Sequence, residues 1–514
     1  MASFYEFNIA QTGLFAAQTG LSVTSNNIVN AGTKGYSRQV LSQQATEPFA
    51  FSPVGMMGSG VMTTSIDRVR DSFLDQKLWN QNDVLGEYKV KNEQTALIES
   101  MFGEKVDSSQ FGNAFDELFN SIDDFAKMPS ETDRAIMVQQ AMSNFATYYN
   151  RNATTLTEYQ YDLNLEIEST VKKINSLLES VVSLNGEISK LEMNDGPIAN
   201  ELRDQRELAL DELSQLVNIE TEETEKVNEY GGIEKEFSVK INGKIAIDHD
   251  FITTLELEVR EEPLNEGDAA GLYDINWSSG ATFYINNNNL SGELKGLVDM
   301  RDGTGTNNYG ASDYQGIPYI REQLDEFVRV FSENMNDLYN TDEAGGKLNP
   351  PQYLFSFKDQ AGNPQDLGNP PDYSKITATN FSISKEILEN PKNFRTNYEQ
   401  TGSDKPNESK NDLLMDLLAQ KDNKDMFEAG APADYMISVF TQLGISAQEA
   451  QMHQSTQSKV TQAIENQRLS VSQVSLNEEF LNLTKYNQAY QASAKLMSVI
   501  DEVYETTINK LGAW

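Results

Sequence analysis

Two histidines and a large surplus of carboxylates are the side chains in this 514-residue chain that could carry acid–base or metal chemistry. His249 stands between Asp248 and Asp250, a grouping that would suit a divalent cation or a proton-transfer pair. His453 lies in a polar stretch of Gln and Ser. Each reads more simply as a solvated side chain, His249 at a strand end and His453 on a helix. With no cysteine and two histidines, a metal site would rest on carboxylates or on a second subunit. The acidic run from Glu220 to Glu229 lacks the loop pattern of an EF-hand and reads as a solvated linker. Gly303-Thr304-Gly305 followed by Gly310 has the wrong spacing for a dinucleotide loop and no strand before it, and neither a Walker A loop nor a His-Glu-x-x-His helix occurs. Two suitably spaced carboxylates would suffice for glycoside hydrolysis, but abundance singles out no pair. The expectation is a non-enzyme with no catalytic, cofactor-binding or metal-binding residues.

Composition narrows the partners. Asp and Glu number 78 against 40 Lys and Arg, a formal net charge of −38. Phosphates would be repelled, and no Lys/Arg cluster interrupts that field, so neither nucleic acid nor an anionic membrane is expected. The absence of cysteine excludes disulfides and thiolate metal sites. No apolar run reaches the length of a membrane span. The first positive side chain is Lys34, so no secretory signal is legible. Composition by itself therefore points to the cytoplasm.

The elements that organise the chain lie at its two ends. Phe7, Leu14, Leu21 and Ile28 recur every seven residues, with Ala10, Ala17, Thr24 and Ala31 between them. Leu476, Leu483, Tyr490, Met497, Tyr504 and Leu511 repeat in the same way, with Ala489, Leu496 and Val503 alongside. A strict heptad makes a left-handed seam that requires a partner helix. The simplest arrangement pairs the termini, with the rest of the chain looped out between them.

A helix is expected over 3–31, stopped near Asn30 and Gly32, followed by extended or irregular chain from Gly32 to Gly60. Helical periodicity returns over Asp83–Met101 and Phe111–Lys127. Ser130 and Asp133 resemble a capping box, opening a long helix with a stripe of Leu163, Ile167, Ile174, Leu177, Val181, Leu184, Ile188 and Leu191. Asn194-Asp195-Gly196-Pro197 turns it back, so 131–217 reads as a helical hairpin. Alternating apolar residues around Asn242-Gly243 predict a β-hairpin, because both turn positions need positive φ; further strands are expected at 251–260 and 281–285. A helix from Pro318 presents Ile317, Leu324, Phe327, Phe331 and Leu338. Residues 341–430 read as mixed and loop-rich. From Ala433, helix continues to the C-terminal seam with a break near Gly444. The expected fold class is α+β multidomain. A terminal coiled-coil assembly domain comprises 1–60 with 471–514, and a helical domain comprises 61–218 with 291–340 and 431–470. A β-rich insertion at 219–290 and a mixed insertion at 341–430 form one outer domain or two.

Two segments carry a resemblance. Ser25-Asn-Asn-Ile-Val-Asn30-Ala-Gly-Thr33-Lys-Gly35-Tyr36-Ser-Arg38-Gln39 resembles the N-terminal signature of bacterial flagellar rod, hook and hook-associated proteins. Asn482-Leu-Thr-Lys-Tyr486-Asn-Gln488-Ala-Tyr490-Gln491-Ala492 resembles their C-terminal signature. The variant Tyr36-Ser37-Arg38-Gln39 and the segment from Gly292 to Asp302 are similar to the hook-associated members at the hook–filament junction.

The resemblance implies a structural adaptor, exported by the flagellar type III pathway without a cleaved signal and located outside the cell at that junction. This replaces the cytoplasmic reading. It further implies terminal segments paired as an inner coiled coil, a homo-oligomer in the junction zone, and contacts with hook protein, a second junction protein and an export chaperone. The assembly interface is expected at Phe7, Leu14, Leu21, Ile28, Asn30, Gly35, Tyr36, Arg38, Leu476, Leu483, Tyr486, Tyr490, Met497 and Tyr504. Leu14, Leu21 and Ile28 would pack on Leu483, Tyr490 and Met497, or on a neighbour's equivalents. Isolated seams cannot bury their stripes, so the ends are expected to fold on assembly. The rival readings are another axial protein of the same superfamily, and a surface enzyme or binding module carried on axial termini.

Overall fold

The computed structural model describes residues 3–50, 55–102, 110–193, 196–227, 233–284, 290–306, 312–400, 407 and 409–507. Leu511, Asn194, Asp195, Glu229, Gly310 and the end of the strand expected at 281–285 lie outside the described residues.

The chain opens with α1 (Ser3–Asn30), which ends where Asn30 and Gly32 were expected to stop it. The segment read as extended or irregular chain is extended over much of its length and forms part of a ribbon. Strands β1 (Gln39–Ala45) and β4 (Val61–Arg68) pair antiparallel, with β2 (Phe49–Ala50) and β3 (Met56–Met57) between them. It runs back along α1: Tyr5 Oη donates to Met57 O at 3.0 Å, and Asn27 Nδ2 donates to Gln39 O at 2.9 Å.

Four helices follow: α2 (Ser72–Phe102), α3 (Gln110–Lys127), α4 (Thr132–Glu192) and α5 (Asn200–Leu216). Helix α2 starts eleven residues before its legible periodicity, because Asp75, Asn82 and Asp83 occupy buried positions where apolar residues would mark a face. No capping box forms at α4: the cap is Glu131, without a side-chain bond, and Ser130 lies outside it. The 61-residue helix spans roughly 90 Å. Leu163, Ile167, Ile174, Val181, Leu184 and Ile188 are buried as expected, but Val171 and Leu178 complete the face. Leu177 is only partly covered and Leu191 is exposed, since a straight helix drifts off a strict heptad.

The β-rich part holds β5 (Ile219–Val227), β6 (Ile233–Ile241), β7 (Lys244–Asp248) and β8 (Phe251–Ile252) in one antiparallel sheet of that order. Strands β9 (Leu255–Val259) and β10 (Tyr273–Trp277) form a second. The turn at Asn242-Gly243 has positive φ at both residues, 52° and 73°. The acidic segment read as a linker is the edge strand β5, whose carboxylates discourage pairing with another chain. The strand expected at 251–260 is interrupted at Thr253-Thr254, and in 281–284 there is a single bridge, Asn276 to Thr282. Helix α4 holds this part by amide side chains that replace ladder bonds. Asn175 accepts from Leu255 N at 2.9 Å and donates to Leu255 O at 2.7 Å, while Asn164 accepts from Tyr273 N at 2.9 Å.

Helix α6 (Glu293–Asp302) carries buried charge: Arg301 pairs with Asp302 through two bonds of 2.9 and 2.6 Å and donates to Asn164 Oδ1 at 2.7 Å. After α7 (Ile317–Tyr339) come β11 (Phe355–Lys358), β12 (Pro364–Gln365), β13 (Phe381–Ile383), α8 (Lys385–Glu389) and α9 (Asp412–Ala419). This loop-rich stretch shares its core with the bundle. Phe355 and Phe381 pack at 5.6 and 6.2 Å from Phe331 and Phe145, and Asn336 of α7 pins Leu354 N and Phe355 N at 2.8 and 2.9 Å.

Helix α10 (Pro432–Ser472) passes Gly444 unbroken and lies along α2. The break falls instead at Gln473–Ser475, before α11 (Leu476–Glu505). Glycine at one helical position costs only ~1 kcal/mol, which the packing against α2 outweighs.

Candidate assembly interface

Helices α1 and α11 pair antiparallel in a heptad register. A Cβ on Gly13 would lie 3.0 Å from Ser493 Oγ, and one on Gly20 would lie 2.6 Å from two ring carbons of Tyr486. One step further, Asn27 Nδ2 donates to Glu479 Oε2 at 3.1 Å. Each step advances seven residues on α1 (13, 20, 27) and retreats seven on α11 (493, 486, 479). Small residues therefore select the seam, because they let the backbones approach most closely. Ala10, Ala16, Ala17, Val23 and Thr24 are buried around it.

The row of closest approach thus differs from the expected row of Leu14, Leu21 and Ile28 against Leu483, Tyr490 and Met497, whose alternative, packing on a neighbour's equivalents, concerns contacts beyond one chain. Phe7, Leu14, Leu21 and Ile28 flank the seam half-buried, as do Leu483, Tyr486, Met497 and Tyr504 on α11. Leu476 and Tyr490 are exposed. Several apolar side chains of the pair are left exposed: Phe15 and Val29 on α1, and Phe480, Leu481, Leu496, Val499 and Val503 on α11.

The motif after α1 fastens the pair to the body. Gly35 has φ +83°, and a Cβ there would meet Leu208 at 3.3 Å, so a side chain would meet both strain and crowding. Asn30 Nδ2 donates back to Asn26 O at 3.1 Å. Tyr36 Oη donates to Asn27 Oδ1 at 2.8 Å; burial, reinforced by Glu201, Asp204 and Glu479, drives its phenol far above the usual range. Ser37 donates to Asp204 of α5 through both N and Oγ, at 2.9 and 2.7 Å. Arg38 pairs with Glu478 at 2.8 Å and Glu479 at 2.9 Å.

Below this joint lies an ionic hub. Arg68 bonds Asp204 and Glu207 at 2.8 and 3.0 Å, and Arg70 bonds Asp75 at 2.8 Å. Arg468 of α10 bonds Asp211 at 2.8 Å. Burial disfavours the Glu207 carboxylate, yet Arg70 and Arg68 outweigh it and hold the group below its usual range. An open cleft of about 690 Å³ borders the hub, lined by Arg68, Arg70, Arg203 and Arg206 together with Asp67, Asp75, Glu207 and Glu223. Arg206 stacks 3.8 Å over Phe237, and burial pulls it down to about 10. The cleft's charges are largely mutually paired, an arrangement suited to holding elements together.

His249 occupies the β7–β8 turn, with Nε2 3.5 Å from Glu234, and His453 stacks on Tyr88 at 4.6 Å. Among the described residues no group of three or more His, Asp or Glu could hold a metal ion, and no helix is long and apolar enough to cross a membrane.

Sequence reasoning missed Asn27, Ser37, Glu201, Asp204 and Glu479 as members of the joint. A signal existed for Glu479, the lone acid in the row Glu479, Tyr486, Ser493, Ile500. The α5 carboxylates carry none, because their partners lie more than 130 residues away.

Comparison with known proteins places these features. Residues 95–348 match the family described as flagellar hook-associated protein FlgK helical domain, and residues 465–511 match the flagellar basal body rod FlgEFG protein C-terminal. The flagellar hook-associated protein 1 of Bacillus subtilis (strain 168) is 29% identical, over 99% of this chain and 99% of its own length. Its counterpart in Escherichia coli (strain K12) is 23% identical, over 98% and 99%. The structure of the flagellar hook junction protein FlgK from Burkholderia pseudomallei is similar in fold, with a TM-score of 0.55 and 11% identity. It covers 77% of this chain and all of that one.

Proposed function

We propose that the chain is a member of the flagellar hook-associated protein family, to which its relatives and matched segments are similar, and that it is a non-enzymatic adaptor joining hook to filament. The antiparallel α1–α11 pair, with exposed apolar side chains and an ionic joint to the body, is the observation that carries this reading. In it, the exposed residues of the pair meet neighbouring subunits of the junction ring, while the body stands outside them. Phe7, Leu14, Leu21, Ile28, Leu476, Leu483, Tyr490, Met497 and Tyr504 contribute to those contacts from the pair. Asn30, Gly35, Tyr36, Arg38 and Tyr486 shape it from within.

The mechanism is burial on assembly. Covering a side chain such as Leu481 or Phe480 contributes ~1.5–3 kcal/mol before ordering costs. The α1 side of the seam is made largely of small residues and α11 buries few side chains, so in this reading the pair gains much of its burial from neighbours. The partners in this reading are further copies of the chain, hook protein on one side and a second junction protein on the other. Before assembly an export chaperone covers the ends, the type III pathway delivers the chain unfolded, and the assembled protein is extracellular. The terminal 1–60 and 471–514 act as the assembly unit, and 61–218, 291–340 and 431–470 as the helical body. Residues 219–290 and 341–430 complete its outer part.

Immunogold labelling of intact flagella with an antibody to the 219–290 region tests the placement. Gold confined to the hook–filament boundary supports it. Gold along the hook or the filament contradicts it.

A further inference from the structure

The helix pair leaves the body through two chain crossings, and one carboxylate is tied to both. Helix α10 ends at Ser472, Gln473 and Ser475 are extended, and α11 begins at Leu476 without a side-chain cap. Three residues of this kind would leave the pair free to swing. Glu479 lies in the first turn of α11 and is 2% exposed, on a helix whose other buried side chain is Ile500. It accepts from Arg38 Nε at 2.9 Å and from Asn27 Nδ2 at 3.1 Å. Arg38 also donates its backbone N–H to Ser472 O at 2.9 Å, gripping the far side of the break.

We propose that Glu479 is a positioning residue that sets the direction in which the helix pair leaves the body. The proposal rests on the adaptor reading, in which that direction determines where successive subunits meet. Apolar contact could hold the helices together but would let them slide, because hydrophobic attraction is non-directional. Charge-assisted bonds to a buried carboxylate are directional. Removing the carboxylate leaves Asn27 Nδ2 with one partner fewer. Arg38 then keeps only Glu478 on α11, whose carboxylate is exposed and screened by solvent.

The cysteine-free full chain accepts spin labels cleanly at Glu187→Cys on α4 and Ser498→Cys on α11, both exposed positions. Electron–electron resonance of the doubly labelled protein reads the distance distribution between body and pair. The intact joint predicts a narrow component, which E479A broadens about two-fold without loss of helical circular dichroism. E479Q, which keeps shape and an acceptor but loses the charge, falls between them. A purely space-filling role would leave E479Q like the parent. A parent without the narrow component, or an E479A distribution as narrow as the parent's, overturns the proposal. Failure of the adaptor reading would show separately, as gold label away from the hook–filament boundary.

Discussion

The ring of Tyr486 lies so close over Gly20 that a Cβ at position 20 would sit 2.6 Å from two of its carbons. Alanine is ordinarily the better helix former by ~1 kcal/mol; here overpacking, at ~1–3 kcal/mol, reverses the sign. Gly20→Ala is predicted to destabilise the α1–α11 pair, and Tyr486→Ala to absorb most of that loss. A double-mutant cycle read by amide exchange across α1 checks this. Additive effects would contradict the contact.

The outer face of the pair should matter to assembly and not to the folded chain. Leu481 is 72% exposed and Phe480 53%. Leu481→Asp is expected to change thermal stability by no more than about 0.5 kcal/mol while abolishing motility in complemented cells. A variant that swims normally would remove Leu481 from the interface.

The free chain should be soft at its ends. Since α11 buries only Glu479 and Ile500 among its described residues, amides in 5–30 and 476–505 are predicted to exchange much faster than those of α4. Protection at both ends equal to that of α4 would contradict this ranking, since the pair forms in the free chain but opens more readily than the body.

These expectations rest on parts of the fold that were unequally legible. The end helices and the α4 stripe could be read because periodic burial leaves a periodic pattern. Gly13 and Gly20 mark a close approach between α1 and α11 by their size alone, but that Ser493 and Tyr486 lie opposite them was not legible. The β1–β4 ribbon left little trace, since its register shifts between Ser42 and Gln43 and its strands carry polar residues on both faces. Residues 341–430 are held by amide side chains such as Asn336 and Asn150 bonding to backbone, which leaves no repeat to detect. The heptads could suggest a joint between the ends, but not that Asp204 and Glu479 complete it.

A buried acid supplies a pH test independent of assembly. Burial, with help from Glu87, pushes the Asp83 carboxyl on α2 up to about 7 against the opposing bond from Val84 N. An acid raised on folding contributes stability that is full below its unfolded pKa near 4 and is lost as pH rises through 7. Asp83→Asn should therefore stabilise the chain at pH 8 relative to wild type, by roughly 1–4 kcal/mol, with the advantage shrinking toward pH 4. Denaturant unfolding at the two pH values checks it. An advantage independent of pH would exclude the titration.

The adaptor reading itself is tested most directly by electron microscopy of the source bacterium after deletion of this chain. The account predicts complete hooks without attached filaments, and filaments restored by the intact chain. Normal filaments after deletion, or the loss of hooks, would contradict it.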